Sequence, residues 1–303
     1  MSRSNLELFF ESFFSHNTRR AYQSDLMCFN EFLRDHAGDI SMEAIDRTLL
    51  QKYRDFLFDS KKLCHATIHR RFVALRTFFK WCQLEGIRKD NPALHLRLPR
   101  YRVDKPTQAL SDAEVLEMIE SVPLDSKRGL AHRIILVLLA NLGLRRSELG
   151  KIQLKDFNFE RNHRVLNIWG KGNKRRTLPI NPFLYREIYL YLKRLREDFD
   201  CDLTADDYLI QTHKRKKNSK PIDGSTIYRI VKKYATKIGV QKEITPHSLR
   251  ATSISHLLDT QKVPIRDVAI FAGHSQITTT ERYDKRRDNL DSSAAYKVSY
   301  EDS

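Results

Sequence analysis

The sequence predicts a mainly α protein of two domains: a helical N-terminal one and a mixed, mostly α second one carrying a small antiparallel β-sheet. Three observations predict it. Apolar residues recur at helical spacing along both halves. An aperiodic basic stretch with two prolines, "RLPRYRVDKPTQ" from Arg97 to Gln108, separates them as an extended linker. A single β-forming segment, Arg164 to Ile180, interrupts the helical pattern of the second half. At 303 residues the chain is long enough for two cores, and 41% hydrophobic with 10% aromatic residues exclude a disordered chain.

Taken in order, Asn17 or Thr18 caps a segment with Tyr22, Leu26, Phe29 and Leu33 at helical spacing. Thr48 precedes a second, with Leu49, Tyr53, Phe56 and Leu57. Thr67 precedes a third, with Ile68, Phe72, Leu75 and Phe79, which Gly86 and Asn91-Pro92 end. Its outer face carries His69, Arg70, Arg71, Arg76 and Lys80, and charges of a single sign lean towards phosphate contact rather than plain solvation. This domain spans residues 1–98, and residues 99–109 form the linker. Ser111-Asp112-Ala113-Glu114 is a capping box that opens the second domain, residues 110–287. The apolar run "IILVLLANLGL", Ile134 to Leu144, is too short for a bilayer, which needs ~20 apolar residues. Val165, Leu166, Ile168 and Trp169, a Gly-Lys-Gly-Asn turn, then Thr177, Leu178 and Ile180 predict a β-hairpin with a basic tip. Helical patterns return around Phe183 to Leu195 and Ile227 to Ile238. No repeat is evident, and the one biased tract is the basic "HKRKKNSK", His213 to Lys220. Residues 288–303 form a tail.

The formal net charge is +16 and the isoelectric point about 9.7. Such an excess of Lys and Arg is the footprint of a polyanion binder, because each neutralised phosphate releases counterions; an indifferent basic surface or adhesion to an anionic membrane are the alternatives. The N-terminal "MSRSNLELFFESFF" has no continuous apolar core followed by a small-residue cleavage site, so it is not read as a signal peptide. Cys28, Cys64, Cys82 and Cys201 have neither zinc-ligand spacing nor the density of a disulfide scaffold, and read as thiols of a reducing cytoplasm.

The chemistry concentrates in the second half. "GHSQITTTERYDK" sets Tyr283 among charged and hydroxylated residues. A tyrosine hydroxyl with a pKa near ~10 is a poor nucleophile without helpers. Helpers are present. "NLGLRRSELGKIQLKDF" holds Arg145, on a turn after the apolar helix, with Glu148 three residues on. "TPHSLRATSISHLL" holds His247 and Arg250 on one helical face. "FAGHSQITTTERY" adds His274, and the hairpin tip Lys171. Singly, each is more often a surface charge, a solvated pair, a turn or a packing residue. Together, two forked guanidiniums, two imidazoles, a lysine and a tyrosine are what attack on a phosphodiester without a metal requires.

In this order and wording the chain resembles the tyrosine recombinases, the phage integrase family of Cre- and Xer-type enzymes. The resemblance covers about Leu110 to Tyr283 and, more loosely, the helical first half. "GLRRSEL" is similar to the first arginine box, which gives Arg145 (Arg146 adjoins it) and the accessory acid Glu148; "GKGNKRR" to the hairpin of the catalytic lysine, Lys171, with Lys174 beside it; "HSLR" to the His-x-x-Arg box; "AGHSQITTTERY" to the last box. It implies a SAM-like core-binding domain and a catalytic domain that form a C-shaped DNA clamp. Arg145 and Arg250 would hold the scissile phosphate with His274, His247 would help accept the tyrosine proton, Tyr283 would attack, and Lys171 would protonate the leaving 5′-oxygen. Neither cofactor nor metal is implied. The implied partners are double-stranded DNA with an inverted-repeat core site and a homotetramer, a dimer per site, with accessory or host factors; the implied location is the cytoplasm, at the nucleoid. Arg70, Arg71, Arg76, Lys174, Lys214 and Lys216 are the DNA-contact candidates. Integration, excision, resolution and inversion stay open, as do a type IB topoisomerase and a non-catalytic site-binding protein. The apolar "AAYKVSY" of the tail is expected to dock in a partner subunit.

Overall fold

The computed structural model describes residues 3–98, 108–170, 174–213, 217 and 220–284. They divide into two compact units, Met1–Asp104 and Lys105–Ser303. The linker residues 99–107, the hairpin-tip residues Lys171 to Asn173, the basic residues Lys214 to Lys216 and the tail lie outside the described residues.

The first unit is helical: α1 (Arg3–Glu11), α2 (His16–His36), α3 (Arg47–Asp55) and α4 (His65–Leu84). Its core is rich in aromatics. Phe9 meets Phe78 edge to face at 5.2 Å, and Tyr53 tilts against Phe29 at 4.8 Å, geometries that aromatic quadrupoles favour. The helix starts differ from the sequence expectation, because a side-chain oxygen must lie within reach of the third amide after it. Ser15 accepts from Thr18 N–H and Asp46 from Leu49 N–H, while Cys64 precedes α4. The short α1 was not anticipated.

The second unit begins with α5 (Asp112–Glu120), whose expected capping box is present: Glu114 N–H donates to Ser111 Oγ at 3.2 Å and Ser111 N–H to Glu114 Oε2 at 2.7 Å. α6 (Lys127–Leu142) is buried around nearly its whole circumference, as a helix apolar on every face must be. The four-residue α7 (Arg146–Leu149) leads to a three-stranded antiparallel sheet in sequential order: β1 (Phe157–Glu160), β2 (His163–Trp169) and β3 (Arg175–Pro179). Leu166 pairs with Phe157 on one side and Leu178 on the other, and Trp169 with Arg175. β2 and β3 are the expected hairpin; β1, the third strand, alternates in "FNFE" but over only four residues, and was not expected. Then come α8 (Pro182–Phe199), α9 (Gly224–Lys237), α10 (Pro246–Ser255), α11 (Ile265–Ala272) and α12 (Thr278–Glu281).

Both units end a helix the same way. α3 runs into a wider turn over Phe56–Ser60, closed by Lys61 N–H on Phe56 O and by left-handed Lys62 (φ 49°). α10 runs into one over His256–Thr260, closed by Gln261 N–H on His256 O and by left-handed Lys262 (φ 55°). Among the described residues no helix is long and apolar enough to cross a membrane.

Candidate active site

Three helix ends build the site. α6 stops at Gly143, whose φ of 54° is the left-handed conformation that glycine adopts without strain. The chain passes through buried Leu144 into Arg145, extended at the cap position of α7 (φ −70°, ψ 145°). Glu148 folds back on it, accepting from the Arg145 backbone N–H at 2.9 Å and from Nη1 at 2.7 Å. Arg145 Nη2 donates to Gly273 O at 2.9 Å. The guanidinium is thus held at both ends while its side chain stays 37% exposed.

Glu148 itself is buried and is gripped from the other side by Arg176 of β3, with Nη1 to Oε1 at 3.0 Å and Nη2 to Oε2 at 2.8 Å. Burial alone would push its carboxyl upward. Hydrogen bonds from Arg176 and the Arg145 backbone, with the charge of Arg176, overcome this and hold it at about 2. Sequence reasoning found Glu148 and missed Arg176. The adjacent Arg175 faces the other way, onto Asn167 and Glu160, and strand alternation was the available signal that only one of the two arginines turns inward.

α10 starts at Thr245, whose hydroxyl accepts from Ser248 N–H, with Pro246 in the first turn. His247 keeps part of its surface exposed while its imidazole is partly shielded from water, and Arg250, one turn on, is 2% exposed. Arg250 donates Nη1 to Gly143 O and Nη2 to Ala272 O, both at 2.5 Å. These carbonyls terminate α6 and α11, where helix dipoles favour a cation. A guanidinium has five N–H groups, so three remain beyond these two bonds. Burial, helped by Arg145, lowers the Arg250 pKa to about 10, which leaves it charged at neutral pH.

α11 ends at left-handed Gly273 (φ 66°), and His274 follows. Its Nδ1 lies 2.8 Å from the hydroxyl of buried Thr280, which fixes the ring and leaves Nε2 for a ligand. The Tyr283 N–H donates to Thr280 O at 3.0 Å. The Tyr283 ring stacks on His274 (6.2 Å, 11°) and packs against Ile254, Leu258, Val268 and Ala272. Its hydroxyl lies 3.2 Å from His247 Nε2. Burial raises the Tyr283 pKa, opposed by Arg250, Arg282 and Arg145. Burial, then Arg250 and Arg145, lowers that of His247 and takes His274 to about 4. A protonated phenol beside a neutral imidazole can pass its proton across this contact.

Arg145, Glu148, His247, Arg250, His274 and Tyr283 therefore converge. Lys171, Lys214 and Lys216 lie outside the described residues, and Lys174 is exposed just before β3. The expected outer basic face of α4 needs correction. Arg71 donates to Cys28 Sγ at 2.8 Å, and Arg76 to the Ala93 and Leu96 carbonyls at 2.9 and 2.8 Å. Both guanidiniums are taken up in packing neighbouring segments of the first unit, which sequence periodicity cannot show. Arg70 pairs with buried Asp25 yet keeps half its side chain exposed.

Comparison with known proteins agrees with this geometry. Residues 108–289 match the Phage integrase family, and residues 5–98 the Phage integrase SAM-like domain. The chain is 35% identical over 269 residues to tyrosine recombinase XerA of Pyrococcus furiosus, covering 89% of this chain and 83% of that one. It is 31% identical over 271 residues to tyrosine recombinase XerC of Staphylococcus epidermidis, covering 89% and 86%. The fold is similar to that of XerH site-specific recombinase bound to palindromic difH substrate in a post-cleavage complex, with a TM-score of 0.72, 20% identity and coverage of 89% of this chain and 77% of that one. The chain belongs to the phage integrase family and is a tyrosine recombinase.

Proposed function

We propose that the chain recombines double-stranded DNA at defined sites, with Tyr283 as the nucleophile. The tyrosine oxygen attacks the scissile phosphorus as its proton passes to His247. A Tyr283 oxygen–phosphorus bond forms, the bond from phosphorus to the 5′-oxygen breaks, and a 3′-phosphotyrosyl strand and a free 5′-hydroxyl result. Arg145, Arg250 and His274 stabilise the charge that develops on the nonbridging oxygens. Lys171, on the strength of its hairpin motif, protonates the leaving oxygen. Attack by a 5′-hydroxyl on the phosphotyrosine reverses the chemistry on a new strand, through a Holliday junction in a tetramer with a dimer on each inverted-repeat site. The net charge of +16 supports the polyanionic partner, and a cytoplasmic, nucleoid-associated location is part of the same reading.

The observation that carries this reading is the 3.2 Å contact between the Tyr283 hydroxyl and His247 Nε2, above two arginines that helix-end carbonyls and Glu148 hold in place. The experiment is capture. The full chain is incubated with a pool of nicked duplexes of randomised sequence, detergent-resistant protein–DNA adducts are isolated, and the linked peptide is mapped. The expected peptide contains Tyr283, and Tyr283→Phe binds the recovered duplex without forming an adduct. An adduct in that variant, or one mapped to another residue, overturns the assignment.

A further inference from the structure

We infer that Arg176 is a positioning residue for strand cleavage: through Glu148 and Gly273 it holds Arg145 in its reactive place and ties it to the β2–β3 hairpin. The inference rests on the proposed cleavage chemistry.

Arg176 touches both anchors of Arg145. The first is Glu148. Arg176 meets it fork to fork, one terminal nitrogen on each oxygen, a pairing that fixes the carboxylate plane as well as its charge. Each carboxylate oxygen then has one remaining direction to offer, and both are used by Arg145, Oε2 on its backbone N–H and Oε1 on Nη1. Without Arg176, the carboxylate is free to turn its whole edge to the Arg145 guanidinium and pull it off Gly273 O. The second anchor is Gly273. A Cβ at this position would meet Arg176 Nη1 at 3.0 Å, Cδ at 3.1 Å and Cζ at 3.2 Å, so the Arg176 side chain lies directly against the residue whose carbonyl receives Arg145 Nη2.

Arg176 is assigned to Glu148 rather than to phosphate, because its fork meets that carboxylate edge to edge and its charge is neutralised there. Nor is it well explained as a stabilising residue. Its buried Nε has no hydrogen-bond partner among the described residues, and a buried ion pair is weak evidence for stability. Its place in the fold accounts for it better. Arg176 follows Lys171 by five residues on the hairpin, whose last pair before the tip is Gly170 N–H on Lys174 O at 2.8 Å. Gly170 also comes close to Glu148: a Cβ there would be 3.6 Å from Oε1. The strand that leads out of the lysine-bearing tip is thereby joined, by two side chains, to the arginine that faces the phosphate.

The test is a double-mutant cycle on the full chain, with the nicked duplex captured by the wild type as substrate and adduct formation at saturating DNA as readout. Arg176→Met keeps length and loses every donor. It should slow adduct formation on the order of 10²-fold while half-saturation by DNA is unchanged, and Arg176→Lys should recover part of the rate. Arg176→Met combined with Glu148→Gln should be no slower than Glu148→Gln alone. Adduct formation within about threefold of wild type in Arg176→Met, or rate losses that multiply in the double variant, overturn the inference. If Arg176→Met fails to melt cooperatively, the same cycle run with Arg176→Lys decides it. An adduct in Tyr283→Phe would strike the nucleophile assignment, whereas additivity in the cycle strikes only the role of Arg176.

Discussion

The Tyr283 hydroxyl and His247 Nε2 are 3.2 Å apart within a single chain. Burial and two nearby guanidiniums depress the His247 pKa below its usual 6.5, and in its proposed role as base His247 accepts a proton only when neutral. Adduct formation should therefore be flat around pH 7 and fall as pH drops, with its half-point below 6.5. His247→Gln should lose about 10²–10⁴-fold and that limb of the profile with it. A half-point above 7 in the wild type would mean that another group is titrating.

Because the proposed nucleophile, its proposed base and both arginines converge within one chain, a defective protomer should not be repaired by its neighbour. Mixing Tyr283→Phe with Arg250→Lys, each inactive alone, should restore no adduct at any ratio. Recovery near a quarter or a half of the wild-type yield, read on a denaturing gel, would show that the tyrosine is donated between subunits.

Gly273 is constrained twice, by its φ of 66° and by the Arg176 side chain against it. Gly273→Ala should cost about 1–2 kcal/mol of stability from the left-handed backbone alone, measured by denaturant unfolding. It should also lower the cleavage rate, by displacing Arg176 and the carbonyl that receives Arg145. Gly239, equally left-handed at φ 71° but with open space around it, is the control: Gly239→Ala should share the stability loss and keep the rate.

His132 is buried against Tyr234, Nδ1 to hydroxyl at 3.0 Å, and burial with the charges of Lys233 and Arg128 takes its pKa to about 4. The unfolded chain binds this proton near 6.5 and the folded chain declines it until about 4. Stability is thus complete above pH 6.5, falls as pH drops from there, and levels off below 4, a difference of about 3 kcal/mol for this group. His132→Gln should reduce the slope of unfolding free energy against pH in that window by up to about 1.4 kcal/mol per pH unit. An unchanged slope would place the proton uptake elsewhere.

Much of this molecule was legible in its sequence, for identifiable reasons. The capping box at Ser111, the apolar α6 and the β2–β3 hairpin are local signals, and the structure contains all three. The residues that converge, Arg145, Glu148, His247, Arg250, His274 and Tyr283, each sit in a short motif with its own turn or cap. What was not legible depends on distant partners. Arg71 and Arg76 read as surface charges until Cys28 and the Ala93 and Leu96 carbonyls are brought beside them. Arg176 gains meaning only when β3 is laid against α7. The paired helix endings at Lys62 and Lys262 share a loose pattern, Asp-Ser-Lys-Lys-Leu and Asp-Thr-Gln-Lys-Val, too short to register as a repeat.

Thr280 holds two reactive neighbours at once: its hydroxyl binds His274, and its carbonyl receives the Tyr283 amide. Moving the short α12 segment to withdraw the tyrosine therefore also unseats the imidazole. An idle subunit then does more than lack its attacking oxygen, because its hold on the phosphate is loosened in the same motion. In the proposed tetramer this coupling means that no subunit keeps a phosphate fully activated, and open to stray water, while its own tyrosine is out of reach.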